Sequence, residues 1–301
     1  MSLVDRIGNT PLVRLRRVAE GLHAGVEIHA KCEWLNPGGS VKDRAALAMV
    51  LDARRRGVLR EGMTILDASS GNTGIAYAMM GSLLGHKLCL CLPKNANAER
   101  KAMLRAFGAE IVETDPLEGS DGAIREARRR AAAWPERYVY LDQYGNAANW
   151  KAHYGSTGPE IWAQTQGRVT HFVASLGTSG TFVGTTRFLK EKSPSIRCVS
   201  VQPDSPFHGL EGLKHMDSSI VPPIYDRGLA DEDVGAPTEA ALELVRRAPK
   251  EEGLLIGVSS GAALWAALEI GRRLERGVVV TVFPDGGERY LSEPHVWKDD
   301  P

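Results

Sequence analysis

Apolar runs of strand length alternate with amphipathic helical stretches along most of the chain. "MTILDA" (63–68) predicts a strand, and "GIAYAMMGSLLG" predicts the helix after it. "KLCLCLP" (87–93) predicts the next strand. "AERKAMLRAFG" (98–108) predicts a helix that Gly108 ends. "AEIVET", a helix over about 120–134 and "RYVYLDQ" continue the series. Past about residue 150 the alternation resumes. "HFVASLG" (171–177) and "RCVSVQP" read as strands around the helix "TFVGTTRFLKEK". "GLLIGV" leads into the helical "SSGAALWAALEIGRRLE", and "GVVVTVFP" is the last strand. Repeated β-α of this kind predicts mostly parallel sheets with helices on both faces.

The fold class is therefore α/β, as two three-layer α/β/α domains. The first spans 1–147, with its first 35 or so residues free to pack on the other domain, and the second spans 148–301. A length of 301 residues accommodates two domains of ordinary size. A Pro- and Gly-rich stretch between 204 and 237 lacks a clear period, and a loop of that length in a compact domain is often functional.

Formal net charge is zero, which gives no general attraction to nucleic acid or to acidic membranes. Arg54–Arg56 and Arg128–Arg130 lie in helical stretches and read as solvated faces. The start lacks a signal-peptide pattern, and no apolar run reaches the ~18 residues of a membrane span. Cys32, Cys89, Cys91 and Cys198 form no CxxC pair, which predicts a reducing, cytoplasmic setting.

Three strand-to-helix turns carry glycine and hydroxyl residues: "ASSGNTG" (68–74), "LGTSGT" (176–181) and "VSSGA" (258–262). Helix starts attract anions through free N–H groups and the macrodipole. Each turn alone reads equally as an ordinary tight turn. Together they point to a ligand with several anionic groups. GxGxxG, Gly-Lys and HExxH are absent, which argues against a dinucleotide fingerprint, a Walker A loop and a zincin metal site, while GxSxG occurs once, as "GVSSG" (257–261), inside the third of these turns. The eight histidines are scattered, so no metal site is indicated.

"NPGGSVKDRAA" (36–46) holds the most informative lysine. Ser40 reads as an N-cap, with Asp43 three residues on as in a capping box. Val41, Ala45, Ala48 and Met49 then form one apolar stripe. Lys42 falls at the second helical position, where a cation opposes the dipole by about 0.3–1 kcal/mol if exposed. A solvated surface lysine is one reading. The other is an amine whose pKa is lowered by burial and the helix start, hence a Schiff-base former. The turn at 177–181 would serve the phosphate of an aldehyde cofactor such as pyridoxal phosphate.

Several motifs in order, "GNTPLVRL", "NPGGSVKDRAA", "SSGNTG", "QYGNAAN", "AHYGSTGPEIW", "GTSGT", "GVSSGAA" and "GERYLS", resemble those of the cysteine synthases, or O-acetylserine sulfhydrylases. These are fold-type II pyridoxal-phosphate enzymes with a tryptophan synthase β-like fold. The match runs from residue 8 to 292 and looks most like the B-type branch. The resemblance implies that Lys42 carries the cofactor and moves the substrate Cα proton. Asn72 would bond the cofactor's ring hydroxyl. Ser69, Ser70, Gly71, Asn72 and Thr73 would hold the substrate carboxylate, with Gln143 closing over it. Gly177, Thr178, Ser179, Gly180 and Thr181 would cradle the phosphate, and Ser259 would face the pyridine nitrogen. The implied activity is β-replacement on O-acetylserine through an aminoacrylate, by sulfide or another sulfur donor, in a homodimer. No metal is implied.

The chain departs from the family pattern at three places. Threonine often stands where Ser69 is, and glycine where Ser179 is. After "RYLS" only "EPHVWKDDP" remains, which predicts no closing tail. Thr73 follows Asn72 where the serine and threonine dehydratases carry histidine. Cystathionine synthesis from homocysteine and a catalytically idle binding partner are the alternative readings. Lys214, in "SPFHGLEGLKHMDSSIVPPIYD" (205–226), falls near an arginine of a phosphoserine-using branch. It is either a solvated loop lysine or a contact for a leaving phosphate, which would admit O-phosphoserine.

Overall fold

The computed structural model describes residues 2–297. Its strands and helices run β1 (Leu12–Leu15), β2 (Gly25–Cys32), α1 (Lys42–Arg55), β3 (Thr64–Ala68), α2 (Asn72–Leu84), β4 (Lys87–Pro93), α3 (Ala98–Ala106) and β5 (Glu110–Thr114). Next come α4 (Gly119–Ala133), β6 (Tyr138–Tyr140), α5 (Ala147–Gly155), α6 (Thr157–Gln164), β7 (His171–Ser175), α7 (Gly180–Lys192) and β8 (Arg197–Pro203). The chain closes with β9 (Glu232–Ala236), α8 (Thr238–Glu252), α9 (Val258–Arg272) and β10 (Arg276–Phe283).

Two sheets form. The smaller has the order β5-β4-β3-β6, all parallel. The larger has the order β1-β2-β10-β7-β8-β9 and is parallel except at the β1–β2 edge. Residues 12–32 thus belong to the sheet built mostly by the second half of the chain. β2 pairs with β10 over eight positions, from Gly25–Arg276 to Cys32–Phe283.

Helices cover both faces of each sheet, which is why the central strands are apolar on both sides. All five residues of β3 are buried. In the smaller sheet α1 and α2 pack one face through Met49, Val50, Tyr77 and Met80, and α4 packs the other through Ala123, Ile124 and Ala127. In the larger sheet α8 and α9 meet one face and α6 and α7 the other. α8 shows the helical period plainly, with Ala241, Leu242, Leu244, Val245 and Ala248 buried. Gly253, at φ 69°, ends it in the left-handed conformation that glycine adopts freely.

The N-terminus of α1 differs from the capping box read in the sequence. Lys42 is the first helical residue, not the second, and Val41 precedes it with helical dihedrals of −55° and −22°. Ser40 Oγ still accepts from the Lys42 N–H at 3.3 Å, and the residue is also tied to the far end of the chain. It bridges Asp285, and the Val41 N–H donates to the Pro284 carbonyl at 2.8 Å. The Asp43 carboxylate then accepts from the Gly38 N–H at 2.5 Å, closing the two-glycine turn. Burial pushes the Asp43 carboxyl up to about 6.

Candidate active site

The functional residues gather in a cleft at the carboxyl ends of the parallel strands of both sheets, the usual place for ligands in open α/β sheets. Loops after β3, β4, β6, β7 and β10 line it. An outer cavity of about 250 Å³ runs past Ser69–Thr73, Gln143 and Lys214. A deeper one of about 50 Å³ adjoins it and is lined by Gly177–Thr181, Ser259 and Asp285. Lys42 lines both. The lysine is part-buried, and burial pushes its amine below the ordinary lysine range, against the opposing pull of the Asp285 carboxylate. The surface-lysine reading of Lys42 fails on this placement.

The first turn comes from β3 into α2. Ser69 Oγ accepts from the N–H groups of Gly71 at 3.3 Å and Gly74 at 3.1 Å, so its hydroxyl shapes the helix start. Thr73 Oγ1 donates to Gln143 Oε1 at 2.7 Å, and Gln143 Nε2 donates to the Ala68 carbonyl at 2.6 Å. The glutamine is thereby fastened across the mouth of the turn. Asp67 lies behind it, accepting from the Ala68 N–H, the Tyr77 hydroxyl and the Gln143 N–H. Burial pushes that carboxyl up to about 7.

The second turn, from β7 into α7, has the features of an anion cradle. α7 has no side-chain cap on its N-terminal N–H groups. Ser179 Oγ is buried and lacks a hydrogen-bond partner among the described residues. Ser179 sits at φ 71°, which costs an L-residue about 1 kcal/mol and explains why glycine suits this place in the family. A Cβ on Gly180 would stand 2.0 Å from Asn149 Oδ1, so only glycine lets this loop close on its neighbour. Asn149 Nδ2 in turn donates to Thr178 Oγ1 at 3.1 Å. His153 lies behind the cradle, 3.4 Å from Thr181 Oγ1. Burial and the Arg44 charge push its imidazole down to about 3, so it is neutral. An uncapped helix start, an orphaned hydroxyl and a nearby amine suit a phosphorylated aldehyde: these residues fit pyridoxal phosphate.

The residues given cofactor or substrate roles in the sequence all line the two cavities. Lys214 is not a solvated loop residue. It is 8% exposed, its Nζ lies 3.3 Å from Asp121 Oδ1 and 5.2 Å from the centre of the Tyr144 ring.

Other residues of the site were not assigned roles from the sequence. Asp285, Arg289 and Tyr290 follow β10 and reach under Asn72. Arg100 of α3 pairs with Glu211 across the mouth, its guanidinium 5.2 Å from the Tyr290 ring centre. Asp67 left a readable signal, a carboxylate inside an otherwise apolar strand. The Arg100–Glu211 pair joins residues 111 apart and left none.

Comparison with known proteins agrees with this geometry. The sequence profile of the family described as "Pyridoxal-phosphate dependent enzyme" matches residues 3–285. A cysteine synthase of Aquifex aeolicus is 54% identical over 296 residues, covering 97% of this chain and 90% of that protein. A cysteine synthase B of Pseudomonas aeruginosa is 43% identical, covering 97% and 96%. The crystal structure of a cysteine synthase from Entamoeba histolytica superposes with a TM-score of 0.95 at 35% identity, covering 100% of this chain and 91% of that one.

Proposed function

The chain belongs to the pyridoxal-phosphate dependent enzymes, and from that premise we propose that it makes cysteine by β-replacement, exchanging the β-substituent of an activated serine for a sulfur nucleophile. O-acetylserine is the primary acceptor and sulfide the primary donor. The observation that carries this reading is the part-buried Lys42 amine set between two anion-accepting helix starts. One start suits a carboxylate and the other a phosphate.

Bound pyridoxal phosphate would supply the electron sink for loss of the Cα proton and the β-leaving group. The residues of this chain do the rest. Gly177–Thr181 hold the phosphate through the N–H groups at the start of α7 and the Ser179 hydroxyl. Ser69–Thr73 hold the substrate carboxylate at the start of α2, with Gln143 beside it. The Lys42 amine, which burial pushes below its ordinary range, is placed to take the Cα proton at Nζ. Ser259, which lines the deeper cavity, would offer the ring nitrogen a neutral hydroxyl. A hydroxyl does not hold that nitrogen protonated as a carboxylate would, which favours elimination of a good leaving group over transamination. Adding pyridoxal phosphate should give an absorption band that shifts when O-acetylserine follows. A protein that ignores the cofactor would end this reading.

Lys214 supports a finer assignment. A cation buried at the outer cavity, held by one carboxylate, is placed to meet a leaving phosphate, so O-phosphoserine is a second acceptor. Lys214→Ala should lower kcat/KM for O-phosphoserine at least about tenfold more than for O-acetylserine. Equal losses would remove the assignment. The reading carries with it a homodimer, which a solution mass twice that of the chain would bear out. All four cysteines are buried and unpaired, which supports a reducing, cytoplasmic setting. Among the described residues no helix is long and apolar enough to cross a membrane.

A further inference from the structure

The Asn72 side chain is gripped from both ends. Its Nδ2 donates to Asp285 Oδ2 at 2.7 Å, and its Oδ1 accepts from Arg289 Nη1 at 2.5 Å. These partners are of opposite kinds. A carboxylate only accepts and a guanidinium only donates, so one of the two amide orientations is compatible with both. The flipped amide would set N–H against N–H and oxygen against oxygen.

The grips are themselves held. Asp285 is fully buried, and its Oδ2 also accepts from the Tyr290 hydroxyl at 2.8 Å. Its backbone carbonyl takes the Gly257 N–H and the Ser260 hydroxyl. The second guanidinium nitrogen of Arg289 donates to the Gly38 carbonyl, in the loop that leads to Lys42. Three distant segments therefore converge on one amide.

The consequence is chemical. With Oδ1 turned to Arg289 and one Nδ2 hydrogen taken by Asp285, the second Nδ2 hydrogen is the donor that Asn72 has left to offer. We propose that Asp285 and Arg289 are positioning residues that lock Asn72 as a hydrogen-bond donor, so that the cofactor's ring oxygen is met by an N–H and favoured as the anion. The proposal rests on the pyridoxal-phosphate reading above and deepens it.

The test is a mutant cycle on cofactor binding to the apo-enzyme, followed by absorbance. Asp285→Asn keeps the shape but removes the partner that only accepts, so that Arg289 alone opposes the turned amide. It should weaken pyridoxal-phosphate binding about tenfold in the wild-type background and less than about twofold in the Asn72→Ala background. The pH dependence of the bound cofactor's absorption band should move in Asp285→Asn towards that of Asn72→Ala. A role in packing alone would leave that profile in place. The same factor in both backgrounds would overturn the proposal, as would an unmoved pH profile. Arg289→Met run through the same cycle decides the matter if Asp285→Asn does not fold. Wild-type protein that fails to bind the cofactor would instead overturn the functional reading.

Discussion

Arg44 lies two residues past Lys42 and points the opposite way, into a buried charge network. Its guanidinium bonds both oxygens of Glu33 at 2.8 Å and both oxygens of Glu160 at 2.6 and 2.8 Å. Glu33 is fully buried and Lys31, fully buried as well, pairs with Glu160 at 2.6 Å. Glu33 also takes the Thr10 hydroxyl and the Asn36 amide, so the network reaches the loop before Lys42. Arg44→Met would leave the Glu33 carboxylate buried with two neutral donors. Removing one partner of a buried pair costs about 3–5 kcal/mol. At about 2.1 cal/mol/K per residue, a chain of 301 residues should lose about 5–8 °C of apparent Tm. Differential scanning fluorimetry of the apo-protein reads this. Adding Glu33→Gln to Arg44→Met should recover at least half of the loss, because the uncompensated carboxylate goes with its partner while Lys31 and Glu160 stay paired. An Arg44→Met variant within about 2 °C of wild type, or a double variant no better than the single, would refute the reasoning.

The same network sets the acid limb of stability. Burial alone would raise the Glu160 carboxyl, but Arg44 and Lys31 outweigh it and hold it at about 2. A folded pKa below the unfolded one gives stability that is present above about pH 4.5 and lost as pH falls towards 2, about 3 kcal/mol for this group. Glu160→Gln should flatten that limb in urea titrations run from pH 5 to 2.5, and an unchanged slope would contradict the assignment. Gly180→Ala drives a methyl into Asn149 and should weaken pyridoxal-phosphate binding to the apo-protein at least about tenfold, with unchanged affinity counting against a tight cradle.

Much of the fold was legible because its strands are buried on both faces. The boundaries of β4 and β8 coincide with the apolar runs "KLCLCLP" and "RCVSVQP". β2 alternates strictly, with Val26, Ile28, Ala30 and Cys32 apolar and Glu27, His29 and Lys31 polar, so its strand signal was there to read; the burial of Lys31 was not, because its charge is satisfied inside the network above rather than by solvent. β9, "EDVGA", carries two carboxylates and a glycine and forms only because the β8 edge receives it. At Ser40 the local cap forms only in part: its Oγ accepts from the Lys42 N–H, but Asp43 turns to the Gly38 N–H, and the Val41 N–H donates to the Pro284 carbonyl from the far end of the chain. The site was legible wherever one turn contains it, as at 69–73 and 177–181. Asp285, Arg289 and Arg100 act across more than 100 residues of chain; Arg289 lies in the quoted motif "GERYLS", but no local pattern shows its partner or marks Asp285 and Arg100.

The central claim is that this chain makes cysteine through Lys42. Product analysis of purified protein supplied with pyridoxal phosphate, O-acetylserine and sulfide tests it most directly, with wild type and Lys42→Ala run side by side. Cysteine should accumulate with wild type and fall at least about a thousandfold with the variant, which loses both the cofactor's anchor and the base. No cysteine from wild type, or equal amounts from both proteins, would contradict the account.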